Sequence, residues 1–253
     1  MAIDAGLGVV SAGAWLMPPG SGQIIASAAF SGSTRAFDAQ GRLIPVPSYE
    51  KFELGGYLEY GLTDWLTVLA APAYDKIRQP PPAQSYDGLG ESAIGARIGL
   101  YRSEAAVLSL QASLRTPGPS FTESLGPLQP RRAGAIDLRA MAGCNFEIAS
   151  MPGFAEVQLG YRFYAQNQPG EGRFDLTLGL RPAAQLLIMA QSFSSVSNGS
   201  GNGFLNSSWT KLLSSVVYDV APQWSLQIGA FLTVAGKNAG REQGPIGAVW
   251  HRF

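Results

Sequence analysis

The segment 155–164 reads AEVQLGYRFY, and its apolar and polar residues alternate. The residues between the apolar positions include Glu156, Gln158 and Arg162. A period of two places alternate side chains on opposite faces of a β-strand. The same alternation recurs over 51–60, 135–146 and 173–181. It predicts a chain of strands that are each apolar on one face and polar on the other.

Further segments of this kind fill the chain, and helical periodicity is scarce. Each is about as long as the 9–11 residues that a tilted strand needs to cross a bilayer. The pattern predicts twelve strands, over 22–34, 49–61, 64–75, 89–101, 104–116, 134–147, 153–165, 172–181, 184–194, 208–219, 223–235 and 241–253.

The predicted connections alternate between short turns and long loops, and the long ones cover 35–48, 76–88, 117–133 and 195–207. They are rich in the turn-forming residues Gly, Pro, Ser and Asn. Short turns at one end and long loops at the other are typical of outer-membrane barrels, whereas the strands of a soluble β-sandwich are only about 5–6 residues long. We therefore predict an all-β fold, a closed antiparallel up-and-down transmembrane β-barrel of about 12 strands, in the bacterial outer membrane. The long loops should lie outside the cell.

Aromatic residues gather beside the predicted short turns. Their amphipathic rings suit the boundary between lipid headgroups and hydrocarbon, so outer-membrane lipid is the expected neighbour of the barrel. The residues that we expect in this girdle are Tyr60, Trp65, Tyr101, Phe146, Phe154, Tyr218 and Trp224.

The amino-acid composition excludes several kinds of partner and binding site. Only 14% of the 253 residues are charged, against about 25% in soluble domains, and 18 Lys+Arg balance 18 Asp+Glu. Without net positive charge, no nucleic-acid partner is expected. The single cysteine, Cys144, and the single histidine, His251, exclude an internal disulfide and metal sites built from several cysteines or histidines. We expect no metal and no cofactor.

The two ends of the chain carry processing and assembly features. Residues 1–20 are predicted to be an N-terminal arm or a signal-peptide remnant, followed by the barrel over 21–253. Ala12-Gly13-Ala14 has the A-x-A form of a signal-peptidase site, but no basic residue precedes it. Phe253 ends the last predicted strand, a pattern that the barrel-assembly machinery recognises, so this machinery is an expected partner. His251 stands where that pattern usually has an aromatic or aliphatic residue.

Most charged residues of the predicted strands share one face, as expected if lipid covers the other, because Arg or Lys at the bilayer midplane costs about 2–4 kcal/mol. Arg97, Arg139, Arg162 and Arg173 are expected to form a basic ladder along one wall. Two interpretations stay open: a polar pore whose basic excess prefers anions, and an ion-paired filling that props or seals the barrel. The predicted pore-lining residues are Lys51, Glu53, Glu59, Glu91, Arg97, Asp137, Arg139, Glu156, Arg162, Arg173, Asp175 and Lys211, and Arg115 and Arg181 share their face.

Several motifs resemble those of a known family. They are Trp15 with Pro19-Gly20-Ser21-Gly22-Gln23, Arg35-Ala36-Phe37-Asp38, the segment 58–67, the segment 235–242 and Trp250-His251-Arg252-Phe253. These motifs are similar to the outer-membrane β-barrel family of meta-pathway of phenol degradation transporters, which is distantly grouped with channels for fatty acids and aromatic hydrocarbons. The resemblance is strongest over 15–75 and 208–253. It implies an outer-membrane barrel and suggests aromatic or carboxylate solutes, and it carries over no binding motif.

Three functions are compatible with such a barrel. The first is a channel for passive passage of small solutes. The second is a structural, assembly or secretion-associated barrel with a plugged, non-conducting lumen. The third is an outer-membrane phospholipase, whose serine would need a histidine base within hydrogen-bond reach. By parity with Phe253, His251 should face lipid or headgroups, so we expect a channel and no enzyme activity.

Overall fold

The computed structural model describes residues 13–81, 83, 85–118, 133–199 and 204–253. Within them the chain forms one antiparallel sheet that closes on itself through the pairing of its first and last strands. The prediction of a closed up-and-down barrel of twelve strands is confirmed. Among the described residues, no helix is long and apolar enough to cross a membrane.

The strands follow one another around the barrel in chain order. The closing pair runs from Gln23 opposite Arg252 to Ala29 opposite Ile246, so the barrel has no unpaired edge in the lipid layer. The strand bounds are β1 Gly22–Phe37, β2 Leu43–Thr63, β3 Leu66–Ala71 with Ala73–Arg78, β4 Tyr86–Leu89 with Ala93–Arg102, β5 Ala106–Arg115, β6 Ala135–Ile148, β7 Met151–Tyr164, β8 Glu171–Ala183, β9 Leu186–Ser197, β10 Ser207–Ala221, β11 Trp224–Lys237 and β12 Ala239–Gly240 with Gln243–Arg252.

The outer surface of the barrel is apolar. Outward side chains in the middle of strands are strongly exposed, among them Ile94 (63%), Leu159 (59%) and Ile228 (72%). At the short-turn end, the ring of Trp224 stacks on His251 with centroids 4.3 Å apart. A continuous apolar belt of this size is stable against hydrocarbon and not against water, as in an outer-membrane barrel.

The predicted long loop over 35–48 is wrong, because most of it is strand. β1 continues to Phe37 and β2 begins at Leu43, and these two residues pair with each other. Pro45 and Pro47 favoured a loop in the sequence. However, this part of β2 pairs with β1 alone, so a proline nitrogen on its other edge breaks no ladder hydrogen bond.

A tight turn over 38–42 replaces that loop. The Asp38 carboxylate accepts hydrogen bonds from the backbone N–H groups of Arg42 (2.8 Å) and Gln40 (2.9 Å). The Arg42 N–H in particular stabilises the ionised form and lowers the pKa of Asp38. The other predicted loops lie at this same end, although 119–132 and 200–203 lie outside the described residues.

We expect the turn over 38–42 to face the outside of the cell and the Thr63-Asp64 turn to face the periplasm. In a Cys144→Ser background, an impermeant maleimide on intact cells should label Gln40→Cys and spare Asp64→Cys, both of which are exposed positions. Permeabilised cells serve as the control, where both should react. If the reagent labels only Asp64→Cys in intact cells, the barrel has the opposite orientation to the one predicted.

Candidate functional site

The lumen is lined by every second residue of the strands, and all twelve predicted pore-lining residues lie there. Glu91 and Arg139 are partly buried, with 11% and 14% of their side chains exposed. The other ten are 0–7% exposed, and they are Lys51, Glu53, Glu59, Arg97, Asp137, Glu156, Arg162, Arg173, Asp175 and Lys211. The fold thus brings the twelve together, while a role for them in solute passage stays a prediction.

The expected basic excess of the lumen is wrong. The inward face predicted by strand parity held eight basic and six acidic residues, and the described structure adds Arg252 and four carboxylates, Asp75, Glu171, Asp219 and Glu242. The described lumen then holds nine basic and ten acidic side chains. The four carboxylates lie near strand ends or breaks, where a short alternation does not fix which face a residue takes. An anion preference based on excess positive charge therefore loses its support.

The predicted basic ladder is instead an ion-paired network. Arg162 lies at its centre, because it contacts both Asp137 and Glu91 (3.2 Å), and Asp137 is shared with Arg139 (2.9 Å). Each arginine of the ladder has a carboxylate partner, in the pairs Arg97–Glu59 (2.7 Å), Arg139–Asp175 (2.6 Å), Arg162–Asp137 (2.9 Å) and Arg173–Glu171 (3.4 Å). Of the two interpretations left open by the sequence, this geometry favours the ion-paired filling.

The opposite wall of the lumen is apolar, and the sequence pattern did not single it out. In β10, for example, outward Val216 is followed by inward Val217, so no alternation marks the strand as two-sided. The charged Lys211 lies beside this cluster and is held by Glu242 at 3.1 Å. The buried cluster comes from β1 and β9–β12 and contains Ile25, Ala29, Leu187, Met189, Leu213, Val217, Phe231, Ile246, Ala248 and Trp250.

Residues 13–20, which we call the N-terminal segment, enter the barrel from its short-turn end. At the rim, the Gly20 N–H donates to the Gly61 carbonyl (2.9 Å). Deeper in the lumen, side chains of β3, β4, β5 and β7 hold the backbone of the segment. The hydrogen bonds are Met17 N–H to Thr67 Oγ1 (3.0 Å), Arg97 Nη1 to the Trp15 carbonyl (2.8 Å), Ser109 Oγ to the Ala14 carbonyl (2.9 Å) and Ala14 N–H to Glu156 Oε2 (3.0 Å).

The Trp15 indole anchors this segment. It packs edge-on against Phe154, with centroids 5.8 Å apart, and lies directly on Gly143 of β6. A Cβ at Gly143 would overlap the indole, so glycine is required there by close approach rather than by backbone conformation. The prediction that Phe154 belongs to the outer girdle is wrong, because it has the same parity as Glu156 and faces the lumen.

The lumen is filled at the level of the N-terminal segment. Neither Arg97 nor Arg162 has exposed surface (0% each), whereas the lining of an open aqueous pore would be in contact with water. The described residues line a cavity of about 130 Å³ inside the barrel, between Glu53, Arg139 and Trp209, and a cavity of about 560 Å³ at the short-turn end, beside Met17 and Trp250. A solute could cross this lumen only if the N-terminal segment moved.

His251 lies on the outer face, where its ring stacks on Trp224 and lies 6.0 Å from that of Phe253. Its Nδ1 has no hydrogen-bond partner in the described part of the chain. The geometry needed for serine hydrolysis, a histidine oriented by a third group, is therefore not seen at this residue. Within the same residues, no cluster of His, Cys, Asp and Glu is arranged to hold a metal ion.

Comparison with known proteins identifies the fold. No family model and no curated protein matches the chain. The COG4313 outer membrane channel from Pseudomonas putida F1 is similar in structure over 96% of this chain and 99% of its own, with a TM-score of 0.77 and 14% identity. For the translocator domain of the autotransporter NalP from Neisseria meningitidis, the similarity covers 92% of this chain and 88% of that domain, with a TM-score of 0.56 and 12% identity. For the NanC porin it covers 88% of this chain and 98% of the porin, with a TM-score of 0.53 and 9% identity.

These three proteins share with this chain the barrel fold of the outer membrane. The apolar belt, the closed sheet and the sorting of short turns to one end are all consistent with that fold. The chain is therefore a bacterial outer-membrane β-barrel.

Proposed function

We propose that the chain is an outer-membrane channel for passive passage of small solutes and that its N-terminal segment holds it closed in this structure. The observation that carries the proposal is the way the segment is held. Four hydrogen bonds to lumen side chains, the Gly20–Gly61 hydrogen bond at the rim and one indole ring hold it in the lumen. These contacts are non-covalent, so thermal motion or a solute can displace the part of the segment inside the lumen.

The names of two structural neighbours, a channel and a porin, support a channel over other barrel functions. The resemblance to the family of phenol meta-pathway transporters makes aromatic and carboxylate compounds the first solutes to test. We further propose that Phe253 and the strand before it are recognised by the barrel-assembly machinery. Of the two interpretations of residues 1–20, an N-terminal arm or a signal-peptide remnant, the proposal uses the arm, because Ala14 makes two of the four hydrogen bonds.

A secretion-associated or structural barrel that never conducts is the second candidate. The buried ion pairs around Arg162 and the filled lumen favour it, and one structural neighbour is the translocator domain of an autotransporter. The two candidates differ in whether the N-terminal segment can leave the lumen without unfolding the barrel.

Gly143→Ala separates the two candidates. The added Cβ should expel the Trp15 indole, so planar-bilayer recordings are expected to show more frequent current steps than for the unaltered chain. Gly172→Ala is the matched control, because a Cβ there meets only the Val196 carbonyl oxygen at 3.8 Å. If Gly143→Ala folds and is as silent as the control, the channel proposal fails and the plugged barrel is preferred.

A further inference from the structure

The cavity at the short-turn end has the size of a ligand site. Its volume of about 560 Å³ falls within the roughly 300–1,000 Å³ of small-molecule pockets. It is bounded on one side by Met17 and Pro18 of the N-terminal segment and on the other by strands β1, β7 to β9 and β12 and by Gln223 in the turn before β11. We call it the mouth cavity.

Most of the mouth cavity is lined by apolar side chains. Phe154, Leu187, Met189 and Trp250 form its deep wall, and three of these four belong to the buried apolar cluster of the lumen. Met17 and Met189 contribute unbranched side chains that adapt to ligands of different shape. The wall therefore fits an apolar body, aromatic or aliphatic.

The polar groups of the mouth cavity are mainly hydrogen-bond donors. Gln23 is 4% exposed, and its Nε2 has no hydrogen-bond partner among the described residues, although a buried donor without a partner is costly. Arg181 and Arg252 lie at the cavity with 33% and 34% of their side chains exposed. Both guanidinium groups contact the Asp219 carboxylate, at 2.9 and 3.6 Å. Arg181 also donates to the Ala184 carbonyl and Arg252 to Ser225 Oγ, in each case from Nη1, so the Nε and Nη2 groups of both residues are still offered to other acceptors.

We propose that the mouth cavity binds an amphipathic monocarboxylate, with its apolar body against Leu187, Met189 and Trp250 and its carboxylate facing Gln23 and Arg252. A carboxylate offers acceptors only, which complements a set of donors, and a guanidinium binds it in a bidentate arrangement. The inference deepens the proposed function by naming a ligand class at the short-turn end of the same lumen. It rests on binding alone, so it and the channel can fail separately.

Calorimetry on the full chain in lipid nanodiscs tests the proposal, with decanoate as the probe and decanol as its uncharged counterpart. After subtraction of empty nanodiscs, saturable binding of decanoate is expected, at least about tenfold tighter than that of decanol, a ratio that corresponds to about 1.4 kcal/mol. Equal affinities for the two probes, or no saturable binding of decanoate, would overturn the proposal.

Two variants place the site within the lumen. Gln23→Leu removes the buried donor and should weaken decanoate binding several-fold while leaving decanol unchanged or improved. Gln191→Leu is the matched control, because Gln191 is an equally buried lumen glutamine (4%) outside the cavity lining. If both variants bind decanoate as the unaltered chain does, the ligand lies elsewhere and the assignment is wrong. Recordings of conductance on the same samples report on the channel proposal independently.

Discussion

Replacing Arg162 with glutamine is expected to lower the free energy of unfolding by about 3–5 kcal/mol. The Arg162 side chain has no exposed surface and contacts Asp137 at 2.9 Å and Glu91 at 3.2 Å, with Glu171 at 3.9 Å. Glutamine removes the charge and leaves these carboxylates near one another in a space that water does not reach. Urea unfolding in lipid vesicles, followed by tryptophan fluorescence, measures the loss.

Arg42→Gln is the matched control for this prediction. Arg42 forms an ion pair with Asp38 at 3.0 Å, but 75% of its side chain is exposed, and exposed pairs contribute only about 0.2–1 kcal/mol. If Arg162→Gln costs no more than Arg42→Gln, water must fill the lumen around Arg162. In that case, a double variant with Arg139→Gln and Arg162→Gln that is as stable as the unaltered chain could be tested for ion selectivity. A shift of its reversal potential toward cations would support the basic wall predicted from the sequence.

The barrel could be predicted from the sequence because lipid and lumen impose opposite demands on neighbouring residues. In 155–164 and 173–181 every inward charge is followed by an outward apolar residue, and that local signal fixes both the strand and its facing. The extension of β2 to Leu43 could not be predicted in this way. Prolines such as Pro45 and Pro47 occur both in loops and on strand edges that have no partner strand, so they do not distinguish the two.

The N-terminal segment escaped prediction for a different reason. Its contacts join residues far apart in the chain: Ala14 binds Glu156, 142 positions away, and Trp15 binds Arg97, 82 positions away. Such long-range contacts produce no periodic pattern in the sequence. The local signals were glycines that lie against the segment, such as Gly143 beneath Trp15 and Gly99 beside Leu16, and they have meaning only once the position of the segment is known.

The sequence predicted that these charged side chains point into the lumen, but it could not predict which of them form ion pairs with one another. Strand parity placed Arg139 and Asp137 on the same face, but the partner Asp175 comes from β8, two strands away. Register between strands decides which charges meet, and alternation within a strand does not report it. A basic wall and a neutral network are therefore indistinguishable until the strands are aligned.

Removal of residues 1–17 should have the largest effect on function, because it deletes the four side-chain hydrogen bonds that hold Ala14, Trp15 and Met17 in the lumen. At about 1 kcal/mol for each of the four bonds, their loss changes the ratio of closed to open states by roughly a thousandfold. A shorter truncation, lacking residues 1–12, keeps all four bonds and serves as the control.

Single-channel recording of these proteins in planar bilayers is the most direct test of a channel closed by its own N-terminal segment. The full chain and the shorter truncation should be closed most of the time, and the chain lacking residues 1–17 should show sustained current steps while it keeps the heat-modifiable migration of a folded barrel. A folded chain that lacks residues 1–17 and conducts no more than the full chain would contradict the account, because the lumen would then be sealed by its own side chains.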